Sequence, residues 1–551
     1  MTLPEIILVA VPALPVIAAA AIAFTPPAGW ATSTATVGER SSRWAVRAGS
    51  AAFALALVLA VVVTVNGPIE AVVEGRDGHA LVGVIATRLT TLLGLLTTGV
   101  GLVVQSFASR NLQGDLRGRR FFVLALLLTG ATTSVAYAAT LGLLCASWIL
   151  AGISLAALVA HRATWGPAPR SAQRTRWSLR VGDGALVVAT LLAVVSTGEV
   201  DLRSPAEAAE SLAEASIPGL GWSVLPVVAV LLTVASVSRS ALVPLHRWLP
   251  STIAAPTPVS ALLHAGVVNG AGVLLVRLAP VFGSSAVATH LAFAVGAATA
   301  CYATAVMLVR SDVKGNLAWS TAGQMGFMTV QVSIGALGAA LVHIIGHGMY
   351  KAALFLGAGG SVTGHHRQRQ RPPPHAVPRR VRLTVVVLAP AAALAAAYLA
   401  FQPHLSASAY VLVTVFAWAT AARTVHGWLH SAPFRPVPAV ASAALGATAG
   451  VFAYVGGLTA VEAYAAPGLP SEVSEPVSAA LLVGTLAVIA LLVAVVWHTP
   501  GERMRRLRSR VYALTLTSAP VASLLTTRGS STGVAPVPET RHARSRPTRS
   551  I

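Results

Sequence analysis

Charged residues are scarce in this chain of 551 residues, since Asp, Glu, Lys and Arg together make up only 10% of it. An ordinary soluble domain has about 25% charged residues. Hydrophobic residues reach 55%, and the mean hydropathy is +0.73. This composition excludes a soluble globular protein and a disordered chain. It indicates an all-α, polytopic membrane protein.

Cysteine is also rare, and motifs for chemistry are missing. The two cysteines, Cys145 and Cys301, lie inside apolar runs and provide no metal site, redox motif or obvious disulfide. The sequence lacks a phosphate-binding loop, a dinucleotide fingerprint, a nucleophile elbow and zinc-ligand spacing. We therefore expect no catalytic residue, metal or cofactor in this chain, and a transporter subunit without chemistry of its own.

Lysine is rarer still. Only Lys314 and Lys351 are lysines among the 39 basic residues, so the other 37 are arginines. Arginine keeps its proton in proteins, whereas lysine changes its protonation state readily when it is buried. The two lysines are therefore the basic side chains best suited to exchange a proton.

Long apolar runs fill most of the sequence. Runs of roughly 17–25 apolar residues are candidate transmembrane helices, and we expect about 14–15 of them. The first is interpreted as a helix rather than a cleaved signal, because Glu5 stands where a signal peptide has Arg or Lys. The predicted spans are 5–24, 49–66, 81–104, 121–138, 139–160, 181–197, 222–249, 258–279, 287–309, 313–333, 337–360, 383–402, 407–427, 437–458 and 476–498.

The loops between these spans alternate in charge. The arginine-rich loops are 25–48, 105–120, 161–180 and 361–382, and the mainly acidic loops are 67–80, 198–221 and 459–475. Because Lys and Arg favour the cytoplasmic side, this alternation predicts an outside N-terminus and a cytoplasmic C-terminus in a cell or plasma membrane. That orientation requires an odd number of spans, which fifteen satisfies. It also explains the net charge of +21 without a nucleic-acid partner.

The spans and loops divide the chain into five segments. We expect N-terminal transmembrane helices in 1–80, a core in 81–360, a basic cytoplasmic linker in 361–382, C-terminal transmembrane helices in 383–498 and a basic disordered cytoplasmic tail in 499–551. The linker contains HHRQRQRPPPH, which indicates a solvated loop more than a metal site. The start of the tail, 503–510, is basic enough to contact anionic membrane lipid.

Ionisable residues inside hydrocarbon spans are expensive, so each is a functional hypothesis. Asp183 opens the sixth span, where it either has a function or forms an interfacial pair that ends the helix. Arg239 lies deep in the seventh span, and Pro244 and Pro250 follow it. Proline interrupts helical hydrogen bonding. We therefore predict a broken helix, which in transporters often marks an ion path.

Two further spans carry basic groups. His264 lies in the eighth span near Asn269, and a satisfied core histidine remains the alternative to a functional one. His343, His347 and Lys351 are spaced four residues apart in the eleventh span, so they share one helix face. Such a face provides the groups that a proton wire needs. Lys314, at the entrance of the tenth span, is interpreted as a snorkelling interfacial lysine.

Three stretches resemble a known superfamily. PLHRWLPSTIAAPTPVSALLHAG, DVKGNLAWSTAGQMGFM and HIIGHGMYKAALFL, with RVGD before them, are similar to the antiporter-like subunits of respiratory complex I and of Mrp-type cation/proton antiporters. The resemblance covers about residues 80–360. It implies about fourteen helices, with two inverted five-helix repeats that each contain a broken helix. It also implies a mid-membrane polar axis lined by Arg239, His264, His343, His347 and Lys351.

The sequence departs from the proton-pumping members at one pair of positions. Those members have a glutamate directly after a tryptophan in the fifth helix, paired with a lysine in the broken seventh helix. Here Ile149 follows Trp148, and Arg239 occupies the lysine position. Asp183 is the candidate carboxylate partner of Arg239.

WILAGISL, HAGVVNGAG and GHGMYKAALFL look more like the DabB branch, the membrane subunit of a two-part inorganic carbon uptake system. That resemblance implies a DabA-like zinc-binding partner, similar to a β-carbonic anhydrase, driven by H⁺ or Na⁺ flow through this subunit. The alternatives are a proton-translocating L-type subunit of NADH–quinone oxidoreductase, an Mrp-type antiporter subunit, and a stand-alone channel or scaffold.

Overall fold

The computed structural model describes most of the chain as one helical bundle with a small β-hairpin. The described residues are 1–25, 34–75, 80–162, 167–198, 201–217, 219–360, 377–403, 405–431, 436–469, 473–474, 476–498 and 501–517. The basic HHRQRQRPPPH stretch and residues 518–551 therefore lie outside the described part.

The first half of the bundle begins with capped apolar helices. Thr2 and Glu5 form a capping box at the first helix, and Thr87 and Thr90 form another at the third. The elements are α1 Leu3–Phe24, α2 Thr34–Asn66, β1 Ile69–Glu74, β2 Ala80–Ala86, α3 Arg88–Asn111, α4 Gly118–Tyr137, α5 Leu141–Val159, α6 Pro167–Thr197, α7 Pro205–Glu214 and α8 Val224–Arg239.

Short pieces interrupt the middle of the chain before long helices resume. Single 3₁₀ turns lie at Leu245–Arg247, Thr252–Ala254 and Val267–Asn269. The helices are α9 Trp248–Ser251, α10 Thr257–Ala265, α11 Gly270–Arg277, α12 Ala279–Gly283, α13 Ala286–Val309, α14 Val313–Ser333, α15 Leu337–Gly357, α16 Arg379–Phe401, α17 Ala407–Ser431, α18 Pro436–Ala465, α19 Ala479–His498 and α20 Glu502–Thr517.

The helical membrane fold predicted from composition is confirmed. Within the described residues, twelve helices are long and apolar enough to cross a membrane, and Val224–Arg239 and Ala479–Val495 are shorter apolar helices. The span predicted at 313–333 corresponds to α14, whose Asn, Gln, Ser and Thr residues lower its hydropathy. Each of the fifteen predicted spans contains a helix, while the inverted repeats remain a prediction.

Several boundaries were predicted wrongly. Helices α2 and α6 begin at Thr34 and Pro167, inside the loops predicted at 25–48 and 161–180. The third span begins at Arg88 instead of 81, because Ala80–Ala86 pairs antiparallel with Ile69–Glu74 as a hairpin. The fourteenth span continues to Ala465, since one glutamate does not end a run of helix-forming residues. The tail is not disordered over Glu502–Thr517, where Met504, Arg508 and Thr515 give a helix one partly buried face.

Contacts between loops define two ends of the bundle. At the end that we call the hairpin end, Ala139 N–H donates to Gly83 O at 2.8 Å, and Val477 N–H donates to Ser333 O at 3.0 Å. At the opposite end, the arginine end, Arg117 donates to His161 O at 3.0 Å. Helix α15 runs between these ends and packs against α3, α10, α11, α14 and α18.

Helices α13 and α14 cross at glycines, which yields a test of the packing. A methyl group on Gly326 would lie 2.6 Å from Gly296 O, whereas nothing lies within 4 Å of such a group on Gly446 in α18. We expect Gly326→Ala to lower the unfolding free energy by about 1–3 kcal/mol through overpacking. Gly446→Ala should leave it unchanged or slightly higher. Unfolding of the detergent-solubilised protein measures both, and equal behaviour of the two variants would contradict this packing.

Candidate functional site

The first break in the predicted polar region follows Arg239, the last residue of α8. Pro244 has no N–H to donate to Ser240 O and its ring crowds that carbonyl, so the helix cannot continue. Leu242 N–H instead donates to Val237 O at 2.9 Å, and the Trp248 indole donates to Ser238 O at 3.0 Å. The break therefore leaves the side chain of Arg239 in the bundle interior with these carbonyls still paired.

A second break was not predicted. The span predicted at 258–279 is divided into α10 and α11 by the 3₁₀ turn Val267–Asn269. The Ser240 hydroxyl connects the two breaks, because it donates to Val268 O at 2.5 Å and accepts from Ala271 N–H at 2.9 Å. The first break thus supplies partners for backbone groups that the second exposes, as irregular backbone inside a membrane requires.

Arg239 has three partners in this interior. Its Nη2 donates to Asp183 Oδ1 at 3.0 Å and to Trp148 O at 2.8 Å. Its guanidinium carbon lies 4.2 Å from the centroid of the Trp148 ring, a cation–π distance. Arg239 is only 2% exposed. Asp183, on α6, thus provides the carboxylate that position 149 on α5 lacks.

Two glycines make room for this pair. A methyl group on Gly270 would lie 2.6 Å from Arg239 Cγ and 3.2 Å from the Trp148 ring. On Gly152 it would lie 3.4 Å from the guanidinium and 3.5 Å from the Asp183 carboxylate. Gly270 follows Gly266 by four residues, a spacing of small residues that predicts close contact with another helix. The structure instead gives it the role of admitting the arginine side chain.

The α15 face presents His343, His347 and Lys351 in a row, as their spacing predicted. The two imidazole rings lie 5.9 Å apart, centroid to centroid. Each of the three groups bonds to a neighbouring helix, and among the described residues no hydrogen bond joins one member to the next. The row is continuous in space, but a bridging water or a side-chain rotation is needed for transfer along it.

His347 is the member that connects α15 to the second break. Its Nδ1 lies 3.1 Å from Asn269 Oδ1, while Asn269 Nδ2 donates to Ala265 O at 2.8 Å. The second bond fixes the orientation of the amide, so Nδ1 carries the proton and donates it. His347 Nε2 is buried and has no partner among the described residues, which leaves its lone pair free to accept a proton.

His343 and Lys351 are held by neutral groups of α14. His343 Nδ1 lies 2.8 Å from Gln331 Oε1, and Lys351 Nζ donates to Ser320 Oγ at 2.9 Å and to Leu317 O at 3.3 Å. Lys351 is 0% exposed, and within the described part of the chain no carboxylate lies within ion-pairing distance of it. The lysine is therefore buried without a counter-ion.

The remaining residues singled out in the sequence lie outside both the Arg239–Asp183 pair and the α15 row. His264 is buried and stacks on Phe355 of α15 at 4.2 Å, without a hydrogen-bond partner for Nδ1 among the described residues. Lys314 is half-buried at the arginine end and donates to Ala255 O at 3.4 Å. Pro244 precedes a 3₁₀ turn, and Pro250 lies inside the short α9.

Two cavities meet the Arg239–Asp183 pair from opposite sides. A central cavity of about 60 Å³ is lined by Arg239, Trp148, Asn269 and the hydroxyl-bearing Thr97. The wall of this cavity is mostly apolar with a few polar groups, and its volume is large enough for water. A vestibule of about 430 Å³ at the arginine end reaches Asp183. Arg239 therefore borders the central cavity, and Asp183 borders the vestibule.

Sequence reasoning missed several polar groups around the site. Gln331 and Ser320 hold the α15 row from within a span that was treated as apolar. Arg277 was also missed, although it is the lone charge in its apolar run. It donates to Val135 O at 2.6 Å and to Ala138 O, so it satisfies carbonyls at the end of α4. A search for every polar side chain in each span finds all three.

Breaking the buried pair provides a test of its geometry. We expect Asp183→Asn to lower the unfolding free energy by about 3–5 kcal/mol, because it leaves the Arg239 charge buried without a counter-ion. Arg174→Ala, an exposed change on the same helix, is the matched control. The double variant Asp183→Leu/Arg239→Met should recover most of the loss. If Asp183→Asn has the same unfolding free energy in detergent as the wild type, the pairing is contradicted.

The chain matches known proteins over this same region. Residues 138–372 match the family described as NADH:quinone oxidoreductase/Mrp antiporter, transmembrane. The probable inorganic carbon transporter subunit DabB1 of Halothiobacillus neapolitanus is 35% identical over 287 residues, which cover 52% of this chain and 51% of that protein. NAD(P)H-quinone oxidoreductase chain 5 of Synechocystis is 31% identical over 287 residues, covering 52% of this chain and 42% of that one.

A solved structure shares the fold. The Mrp complex from Dietzia aligns with a TM-score of 0.52 and 23% identity, covering 95% of this chain and 58% of that chain. The chain spans about half the length of the curated relatives that it matches. Residues 138–372 contain the site described above and match the NADH:quinone oxidoreductase/Mrp antiporter transmembrane family. These matches confirm the predicted resemblance to the antiporter-like membrane subunits, DabB subunits among them.

Proposed function

We propose that this chain is the membrane subunit of an energy-coupled inorganic carbon uptake complex. It conducts H⁺ or Na⁺ down its gradient, and this flow drives a zinc-binding, carbonic-anhydrase-like partner of the DabA type. The observation that carries the conducting role is the burial of Lys351. Among the described residues it has no carboxylate partner, and it bonds to a hydroxyl and a carbonyl of α14. The choice of carbon uptake rests on the likeness to DabB subunits.

The path that we propose runs from the hairpin end through α15. His343 is the first member, and His347 Nε2 accepts the ion or proton next because its lone pair is unoccupied. Lys351 stores a proton one helical turn further on, with His264 packed beside it against Phe355. Buried lysine can alternate between ammonium and amine, which arginine cannot do.

The central cavity extends this path towards the arginine end. Asn269 and Arg239 both line it, and we propose that water there connects the two side chains. The vestibule beyond Asp183 is lined by Arg176 and Arg180. We propose that the Arg239–Asp183 pair blocks the passage of ions between these spaces while the two side chains are bonded. Charge passes only when the pair separates. In the orientation that the loop charges favour, the N-terminus is outside and the arginine end faces the cytoplasm.

A respiratory or antiporter role is the second candidate. Relatives named as quinone oxidoreductase subunits match the same segment at 30–31% identity. Against a proton-pumping role stands the pair geometry, since Arg239 bonds to Asp183 and position 149 carries no carboxylate. Arginine does not exchange protons as lysine does. Co-purification of the chain with quinone reductase activity would favour this second candidate.

Deletion of the gene tests the choice between the two functions. We expect the deletion strain to grow normally under elevated CO₂ and poorly in ordinary air, where inorganic carbon limits growth. Deleting a neighbouring gene for a DabA-like protein is the matched comparison. If growth in air requires that neighbour but not this chain, the uptake proposal is refuted.

Lys351 variants test the conducting role directly. We expect Lys351→Ala to lower inorganic carbon uptake by about a hundredfold or more, the low end of what a positioned proton-transfer group contributes. Lys351→Arg keeps the charge but holds its proton, so it should fail as well. Met349→Ala, an exposed change two residues away, is the control. Labelled-carbonate uptake and membrane abundance are measured together, and full uptake by Lys351→Ala at normal abundance removes the conducting role.

A further inference from the structure

Glu462 is an ionisable group inside a spanning helix that the path described so far does not use. It lies in α18, in what the sequence indicated was an outer loop. Its carboxylate accepts no hydrogen bond in the described structure, and no cationic side chain there lies within ion-pairing distance of it. No bond within the described fold accounts for this carboxylate, and an intramembrane carboxylate of this kind indicates a function.

A wide cavity at the hairpin end surrounds this carboxylate. Its volume is about 820 Å³, compared with about 60 Å³ for the central cavity. Gln402, Ser406 and Thr459 contribute polar groups to its lining, and Glu462 is the one charged side chain among its described lining residues. Tyr454, two turns earlier on the same helix, is close enough to interact electrostatically with Glu462. A hydrated cavity with a single negative charge attracts cations.

The same carboxylate lies against the first turn of α15. A methyl group on Gly338 would overlap the Glu462 carboxyl group, so no larger residue fits there without displacing it. The positive end of the helix dipole lies at this turn and favours a negative charge beside it. His343 follows Gly338 by five residues, or about 7.5 Å along the helix axis.

A backbone bond connects the cavity wall to the start of the α15 row. Ala336, which lines the cavity, donates its N–H to Gln331 O at 2.9 Å. The Gln331 side chain in turn contacts His343 Nδ1 at 2.8 Å. A residue of the cavity wall is therefore bonded to the backbone of the residue that contacts the first histidine of the row.

We propose that Glu462 is the loading site for the coupling cation, a carboxylate that captures H⁺ or Na⁺ from the cavity at the hairpin end and delivers it towards His343. This inference rests on the proposed conducting function and adds the place where the ion enters. It assigns Glu462 to cation capture and Lys351 to transfer, so the two residues should affect different parameters of transport.

The test compares Glu462→Gln, Glu462→Asp and the control Glu207→Gln, an exposed change on α7 at the same end of the bundle. Labelled-carbonate uptake by cells that express the complete complex is titrated with Na⁺ at fixed pH and with H⁺ at fixed Na⁺. We expect Glu462→Gln to raise the half-saturating concentration of the coupling cation about tenfold, or about 1.4 kcal/mol of binding free energy. The maximal rate should stay near wild type, and Glu462→Asp should lie between the two. Only the titration of the true coupling ion should shift.

The outcomes separate this inference from the proposed function. An unchanged half-saturating concentration in Glu462→Gln, together with loss of uptake in Lys351→Ala, overturns the loading site and keeps the conducting role. A drop in thermal stability with an unchanged cation titration assigns Glu462 a structural role and also overturns it. Wild-type uptake in both Glu462→Gln and Lys351→Ala removes both proposals.

Discussion

The structure depends on placing the guanidinium of Arg239 inside an apolar bundle. An unpaired charge in such a place is costly, so every nearby feature compensates for it. Asp183 supplies the counter-charge at 3.0 Å, and Trp148 supplies a carbonyl and an aromatic face. Gly270 provides the space, and the chain break after Arg239 frees the side chain from a regular helix surface. The break after Arg239 and the space at Gly270 thereby allow this charge to be buried with its partners.

The two breaks form one structural unit. Pro244 ends α8 by removing a donor, and the turn at Val267–Asn269 divides the next span, yet Ser240 bonds to both sides of that second turn. Asn269, at the end of the turn, then orients His347 on α15. The pair on α6 and α8 and the row on α15 are therefore positioned by the same irregular backbone. A change at either break should disturb both groups together.

Much of this arrangement could be predicted from the sequence. The length of the apolar runs predicted the spans, and the prolines predicted the first break. The four-residue spacing predicted the shared helix face of His343, His347 and Lys351. The sequence could not give the second break, because Gly266 and Gly270 are equally compatible with a continuous helix that packs closely. The sequence also placed Glu462 in a loop instead of a helix, because an acidic residue near the end of an apolar run usually indicates the end of the span. The hairpin was missed because Ala80–Ala86 is apolar enough to extend a helix.

The use of lysine and arginine follows from the same constraint. Arg239 and Arg277 are both buried, and each bonds to fixed acceptors, a carboxylate and a carbonyl for the first and two carbonyls for the second. A residue that always keeps its proton suits such permanent bonds. Lys351 is equally buried, but its acceptors are neutral and one is a rotatable hydroxyl, so nothing fixes its charge in place. Arginine therefore provides the permanent charges of the interior, whereas Lys351 and the histidines on the same face of α15 are side chains whose charge can change.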